Sequence, residues 1–165
     1  MDGTARLALP LIAPGQAQKE MTHNEALALI DLAVQAGVIA ARVDAPPAAP
    51  APGDCWIVGD APEGAWAGRA AMLAGWTAGG WRFVAPREGM AVWSAGDTLV
   101  WTFRAGAWRR GELRGVSLRV NGRQVVGAQA AAIAAPSGGM TVDAEARATL
   151  SAILAALRGH GLIDT

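Results

Sequence analysis

All seven tryptophans of this 165-residue chain fall between Cys55 and Arg109, and the chain has no tyrosine. Trp56, Trp66, Trp76, Trp81, Trp93, Trp101 and Trp108 recur at intervals of five to twelve residues among glycines. That spacing suits short strands joined by tight turns and is too irregular for one helical face. The predicted fold is therefore α+β and mainly β. Its centre is a small Trp-rich antiparallel β-meander, flanked by an N-terminal helix and a C-terminal oligomerising helix. A meander of about sixty residues needs bulky side chains to form any core, and besides Trp the aromatics are Phe83 and Phe103. Most of the seven rings are expected to be core. One or two near the turns are expected to be exposed enough to stack on a sugar ring, with Trp76 and Trp81 the first candidates, although for Trp81 a core position is the favoured outcome and for Trp76 both stay open.

Apolar residues make up 52% of the chain, enough for a core, although Ala and Gly supply much of that share and bury little area. The net charge is zero but unevenly spread: residues 1–81 carry eight acids and four bases, residues 82–123 eight arginines and three acids. Arginines so scattered most often form a solvated face or internal pairs. Arg82 and Arg87 nevertheless lie beside the Trp76–Trp81 hairpin. Trp76, Trp81, Arg82 and Arg87 are thus the candidate carbohydrate-binding residues, with an anionic glycan as ligand.

Five segments are expected. Residues 1–44 form an attachment and oligomerisation segment: Leu7 to Ile12 reads as extended, and Thr22 with Glu25 has capping-box spacing for a helix from Ala26 to about Ala36. Asn24, Ala28, Asp31 and Gln35 mark one narrow polar stripe on that helix. The rest of its circumference is apolar, so it should be buried on several sides. Residues 45–53 are a Pro/Ala linker and the clearest boundary. Residues 54–113 are the Trp-rich β domain, in which Trp76…Trp81 and Trp101…Trp108 echo each other loosely. Residues 114–140 hold a hairpin about Asn121-Gly122, a type I′ signal. Residues 141–165 carry a helix from Val142 to Arg158 capped by Thr141, whose Ala146, Leu150, Ile153 and Leu157 have coiled-coil spacing. Leu27, Ile30 and Val34 on the first helix, with Leu150, Ile153 and Leu157 on the last, form the candidate oligomer interface.

The usual catalytic constellations are missing, and no enzyme activity is expected. His23 and His160 stand apart at helix ends, where structural hydrogen bonds are their ordinary role, and no HxxxH or HxH pair suggests zinc. Ser117, Ser137 and Ser151 have no GxSxG context, and Gly138-Gly139 lacks the Lys-Ser/Thr of a phosphate loop. Asp54, Asp60 and Glu63 are loop carboxylates without neighbours that would raise one pKa for glycoside cleavage. Cys55 is the lone cysteine, which excludes an intrachain disulfide. No metal and no cofactor is expected. The apolar run from Ala26 to Ala41 is broken by Asp31 and Gln35 and is shorter than the roughly twenty residues of a membrane span, and Met1 to Thr4 lacks a secretory start.

Several runs together resemble a known family. They are Leu7-Ala8-Leu9-Pro10, Gln16-Ala17-Gln18-Lys19, Thr22-His23-Asn24-Glu25-Ala26-Leu27, Gly53-Asp54, Gly64 to Gly68, Trp81 to Gly89, and Trp93. The family is an uncharacterised domain found in tail and accessory clusters of alphaproteobacterial prophages and gene transfer agents. The resemblance covers roughly residues 5–110 and is most specific in the first two polar runs, while the tail from Asn121 to Leu162 is similar to a C-terminal extension of some members. It implies a virion component, a tail fibre, tail-tip or spike, assembled in the bacterial cytoplasm and carrying no catalytic residues. It also implies a homo-oligomer, with a trimer as first choice. Expected partners are further copies of the chain, other tail or head proteins and host surface glycan, with no nucleic acid and no membrane. A stand-alone carbohydrate-binding module is the alternative.

Overall fold

A computed structural model describes residues 3–12, 15, 19–141 and 143–164. The chain divides into two compact units, Met1–Glu112 and Leu113–Thr165. The first holds α1 (Lys19–Ala33) and eight strands: β1 (Gly37–Val38), β2 (Ala40–Val43), β3 (Cys55–Val58), β4 (Leu73–Thr77), β5 (Gly80–Val84), β6 (Ala91–Ser94), β7 (Leu99–Arg104) and β8 (Ala107–Arg110). The second holds β9 (Leu118–Val120), β10 (Arg123–Val126) and α2 (Ala144–Gly159). The mainly β, α+β fold and its flanking helices are as the sequence predicts. Among the described residues no helix is long and apolar enough to cross a membrane.

The eight strands of the first unit form two four-stranded sheets of the same plan, in the orders β2-β3-β4-β5 and β1-β6-β7-β8. Each is an antiparallel meander of three strands with a short parallel strand added at its edge. The Trp76…Trp81 and Trp101…Trp108 echo falls on the two closing hairpins, β4–β5 and β7–β8, but not at matching positions: Trp76 pairs with Trp81, whereas Trp108 pairs with Phe103. Both parallel strands come from one stretch, residues 37–43: Gly37 pairs with Trp93 in one sheet and Ala40 with Trp56 in the other. The Pro/Ala segment 45–53 is therefore no boundary. It is the extended crossover that carries the chain from β2 to its parallel neighbour β3, and the division falls at residue 112 instead.

Strand β3 explains why the core lies where it does. Cys55-Trp56-Ile57-Val58 is apolar without alternation, the mark of a strand covered on both faces, and all four residues are buried. Cys55 and Ile57 join Leu32, Val38, Leu73, Val92, Trp101 and Trp108 in one core cluster, whereas Trp56 and Val58 join Trp66 and Ala74 in another. Buried polar atoms in the first cluster find partners: the Trp108 indole donates to the Ala71 carbonyl at 2.8 Å and that of Trp101 to Asp97 at 2.8 Å. The Ser94 hydroxyl and then the Trp101 indole hold the Asp97 carboxyl below the usual carboxylate range.

Helix α1 begins at Lys19, so Thr22 and Glu25 lie inside it and form no capping box. It ends at Ala33, before the predicted Ala36, with Gln35 in the left-handed region (φ 45°), and the Arg6 guanidinium donates to the carbonyls of Asp31, Leu32 and Gln35 that the helix leaves open. Leu32 packs onto β4 where Gly75 has no side chain. In the second unit Asn121 (φ 49°) and Gly122 (φ 77°) form the expected left-handed hairpin turn. The cap of α2 is Asp143 rather than Thr141, its carboxylate accepting from the Ala146 N–H at 2.8 Å. The segment 129–138 is tied to α2 by Arg158, which donates to the Ile133 carbonyl, and by Arg147, which donates to that of Gly138.

Gly75 sets the approach of α1 to the sheet. A Cβ there would overlap both methyls of Leu32, which is itself buried and cannot swing away. Gly75→Ala is expected to lower the unfolding free energy by about 1–3 kcal/mol in urea denaturation, the usual penalty of overpacking.

Candidate functional site

The polar residues of α1 anchor the segment that precedes it; they are not a solvated stripe. The Asn24 amide accepts from the Ile12 N–H at 2.9 Å and donates to its carbonyl at 3.0 Å. Asp31, 3% exposed, accepts from the Thr4 hydroxyl at 2.8 Å and from the backbone N–H groups of Leu7 and Arg6 at 2.6 and 3.0 Å. With Arg6 on the helix end, these bonds fold residues 3–10 into a turn closed by a Gly3–Pro10 bridge, in place of the predicted extended segment. His23 donates to the Lys19 carbonyl, the structural role expected of it. Of the two most specific motif runs, Gln16, Ala17 and Gln18 lie outside the described residues; in the other, His23, Asn24 and Glu25 make structural contacts.

The N-terminal turn, α1 and the β4–β5 hairpin enclose a cleft of about 410 Å³, bordered by Met21, Ala28, Leu32, Trp76 and the Glu25–Arg82 ion pair. Its charged atoms are largely committed. Arg82 Nε meets Glu25 at 2.6 Å, and Arg82 Nη1 donates to the carbonyls of Trp81 and Gly79 at 3.0 and 3.2 Å. The cleft can hold an apolar group, but it offers no unpaired cation to an anionic sugar.

The four predicted carbohydrate-binding residues do not form one face. Trp81 and Arg82 are consecutive in β5, so the pleat sends them to opposite sides of the sheet. Arg82 goes towards α1. Trp81 lies amid three other indoles, its ring centroid 5.0 Å from Trp66, 5.0 Å from Trp76 and 5.6 Å from Trp56. Trp76 is the outer member of that cluster and half-buried. Arg87 is exposed in the loop between β5 and β6. The most exposed tryptophan is instead Trp93, at 50%, on the outer side of the other sheet. Sequence reasoning missed it because β6 was not recognised as a strand; once Val92 and Ser94 are seen to face inward, Ala91 and Trp93 must face out.

The candidate interface residues divide as well. Ile30 and Val34 are exposed at 46% and 47%, one helical turn apart, while Leu27 is half-buried. On α2, Leu150 and Ile153 are exposed, Leu157 is half-buried, and the buried residue is Leu154, outside the predicted seam. The reason is local: the inner side of α2 is already covered by its own chain, which leaves the outer one open.

Trp81 holds the four-ring cluster together, and Trp81→Ala is expected to cost about 3–5 kcal/mol of stability in urea denaturation, whereas Trp76→Ala should cost clearly less. Cys55 is buried, and that burial pushes its thiol up to about 11, so the thiolate nucleophile is scarce at neutral pH. Iodoacetamide at pH 8 is expected to leave native protein unmodified and to label it fully in 6 M guanidinium, as mass spectrometry will show.

No curated protein matches the chain. The family model for DUF2793, described as a protein of unknown function, matches residues 23–109, from the α1 motif to the penultimate residue of β8. That match spans more than half of the sequence, and the chain belongs to the DUF2793 family.

Proposed function

We propose that this protein is a structural part of a phage or phage-like particle, a tail fibre, tail-tip or spike component. In this reading it is assembled from several copies in the bacterial cytoplasm and touches host surface polysaccharide. The particle setting is supported by the likeness of its motif runs to domains in prophage tail and gene transfer agent clusters. The observation that carries the multimeric part is the surface of the second unit. Every residue of β9 and β10 is exposed, Leu150 and Ile153 stand out from α2, and Leu154 and Ile163 are the unit's buried apolar residues among those described. A unit so small, with so little core, ordinarily needs association to persist. Exposed apolar side chains in such number are suited to an interaction site, and further copies of the chain are the partner that a fibre-like assembly supplies. Three copies are the first choice, following the threefold symmetry usual in such appendages. The role is architectural and non-catalytic.

A stand-alone carbohydrate-binding module is the second reading, favoured by the exposed ring of Trp93. Solution mass separates the two. Light scattering after size exclusion is expected to give a multiple of 16.9 kDa, most simply three copies. Leu150→Asp with Ile153→Asp is expected to return the chain to monomer, because each change places an unpaired charge where another copy packs. A wild-type monomer at micromolar concentration overturns the multimeric reading.

A further inference from the structure

The geometry points to a binding site for an anionic polysaccharide on the outer face of the β1-β6-β7-β8 sheet, with Trp93 as the stacking ring. The strand register lays this face out. Gly37, Trp93 and Val100 lie side by side across β1, β6 and β7, and Ala91, Thr102 and Arg109 form the next row across β6, β7 and β8. Trp93 and Val100 are exposed, as are Ala91 and Arg109. Small neighbours leave the indole standing clear: Gly37 on one side and Ala91 two residues before it. A flat ring raised above a sheet offers its face to the C–H side of a sugar ring.

Charge decides the class of sugar. Arg109 makes no ion pair among the described residues and lies on the edge strand β8. At the opposite edge, Arg6 Nη2 is 3.9 Å from where a Cβ on Gly37 would sit. Its guanidinium donates to the backbone carbonyls of Asp31, Leu32 and Gln35 at the end of α1, so Arg109 is the cation more open to a ligand. The face on which the indole stands, with Arg109 on its edge strand, is four strands wide, about 14 Å at the usual strand spacing. That is longer than one sugar ring, and it matches a polymer with repeated acidic groups. A protein partner fits less well. Half an exposed indole and one valine fall far short of the roughly 800 Å² that each side of a stable protein interface buries.

This site deepens the glycan-contact part of the proposed function and does not rest on the particle part. The test uses the full chain in native affinity gels containing polygalacturonate, alginate or hyaluronan, with neutral dextran as control. Wild type is expected to be retarded by at least one of the acidic polymers and not by dextran, with retardation weakening as salt rises. Trp93→Ala should weaken binding on the order of tenfold, a typical loss for one stacking ring. Gly37→Leu should do the same by covering the ring, since a Cβ at Gly37 meets no atom closer than 3.9 Å. Arg109→Gln should reduce binding to the acidic polymers. Melting temperatures should stay near wild type in all three variants, and Trp76→Ala should leave binding unchanged. No retardation by any acidic polymer, equal retardation by dextran, or full binding by folded Trp93→Ala overturns the proposal. A fall in solution mass on Trp93→Ala also overturns it, since the face is then an interface between copies. A monomeric wild type that still binds acidic polymer through Trp93 refutes the multimeric reading and leaves this site standing.

Discussion

The first unit depends on seven residues, 37–43, that give a parallel edge strand to each of its two sheets. Val38 faces the core beside Val92 and Trp101, and two residues later Ala40 is in register with Trp56 in the other sheet. A chain that pairs with both sheets within so few residues fixes their relative placement, and everything attached to the stretch inherits that placement. Upstream it is tied to α1, whose last carbonyls are held by Arg6 and whose Asp31 gathers the N-terminal turn. Downstream the Pro/Ala crossover leads into β3, the strand covered on both faces. Parallel pairing cannot be made by a tight turn, so the length of residues 44–54 is a topological need.

What was legible in the sequence follows the range of the forces involved. The hairpins about Ala105-Gly106 and Asn121-Gly122 could be read because left-handed turn residues act locally, and both turns take positive φ at each central position. The β4–β5 turn was also legible, with Gly80 supplying the positive φ. Strands β1 and β2 were not, because parallel edge pairing is non-local, and β6 was not, because four residues are too few to show its alternation. Glu25 was misread as a cap because its partner, Arg82, is distant in sequence and adjacent in space. The Pro/Ala segment misled by composition: proline stiffens a crossover as readily as a linker.

The tryptophans show how little residue type alone decides. Seven copies of one side chain occupy three settings: Trp101 and Trp108 fill the core with their indole N–H groups satisfied, Trp56, Trp66, Trp76 and Trp81 pack ring against ring on one side of the β2-β3-β4-β5 sheet, and Trp93 faces outward from the other sheet. The predicted pairing of Trp81 with Arg82 failed for a reason visible in any strand. Neighbours in sequence are on opposite faces, so a site on a sheet is assembled from alternate residues and from register partners. By that rule Trp93 belongs with Val100, and with Thr102 and Arg109 in the next row, none of which its sequence neighbours would suggest.

The two units solve the problem of apolar surface in opposite ways. The first buries it in two clusters around β3 and satisfies its buried carboxylate at Asp31 with three donors, the arrangement of a domain whose stability is its own. The second spreads valines and leucines over both faces of a two-stranded hairpin and the outer side of one helix, with Leu154 and Ile163 as its buried apolar residues among those described. A two-stranded hairpin is marginal in water by itself, and a sixteen-residue helix takes its stability mainly from packing. Composition does not explain the contrast, because the apolar residues are present in both. The difference is that, among the described residues, the second unit has no second layer of its own to bury them against.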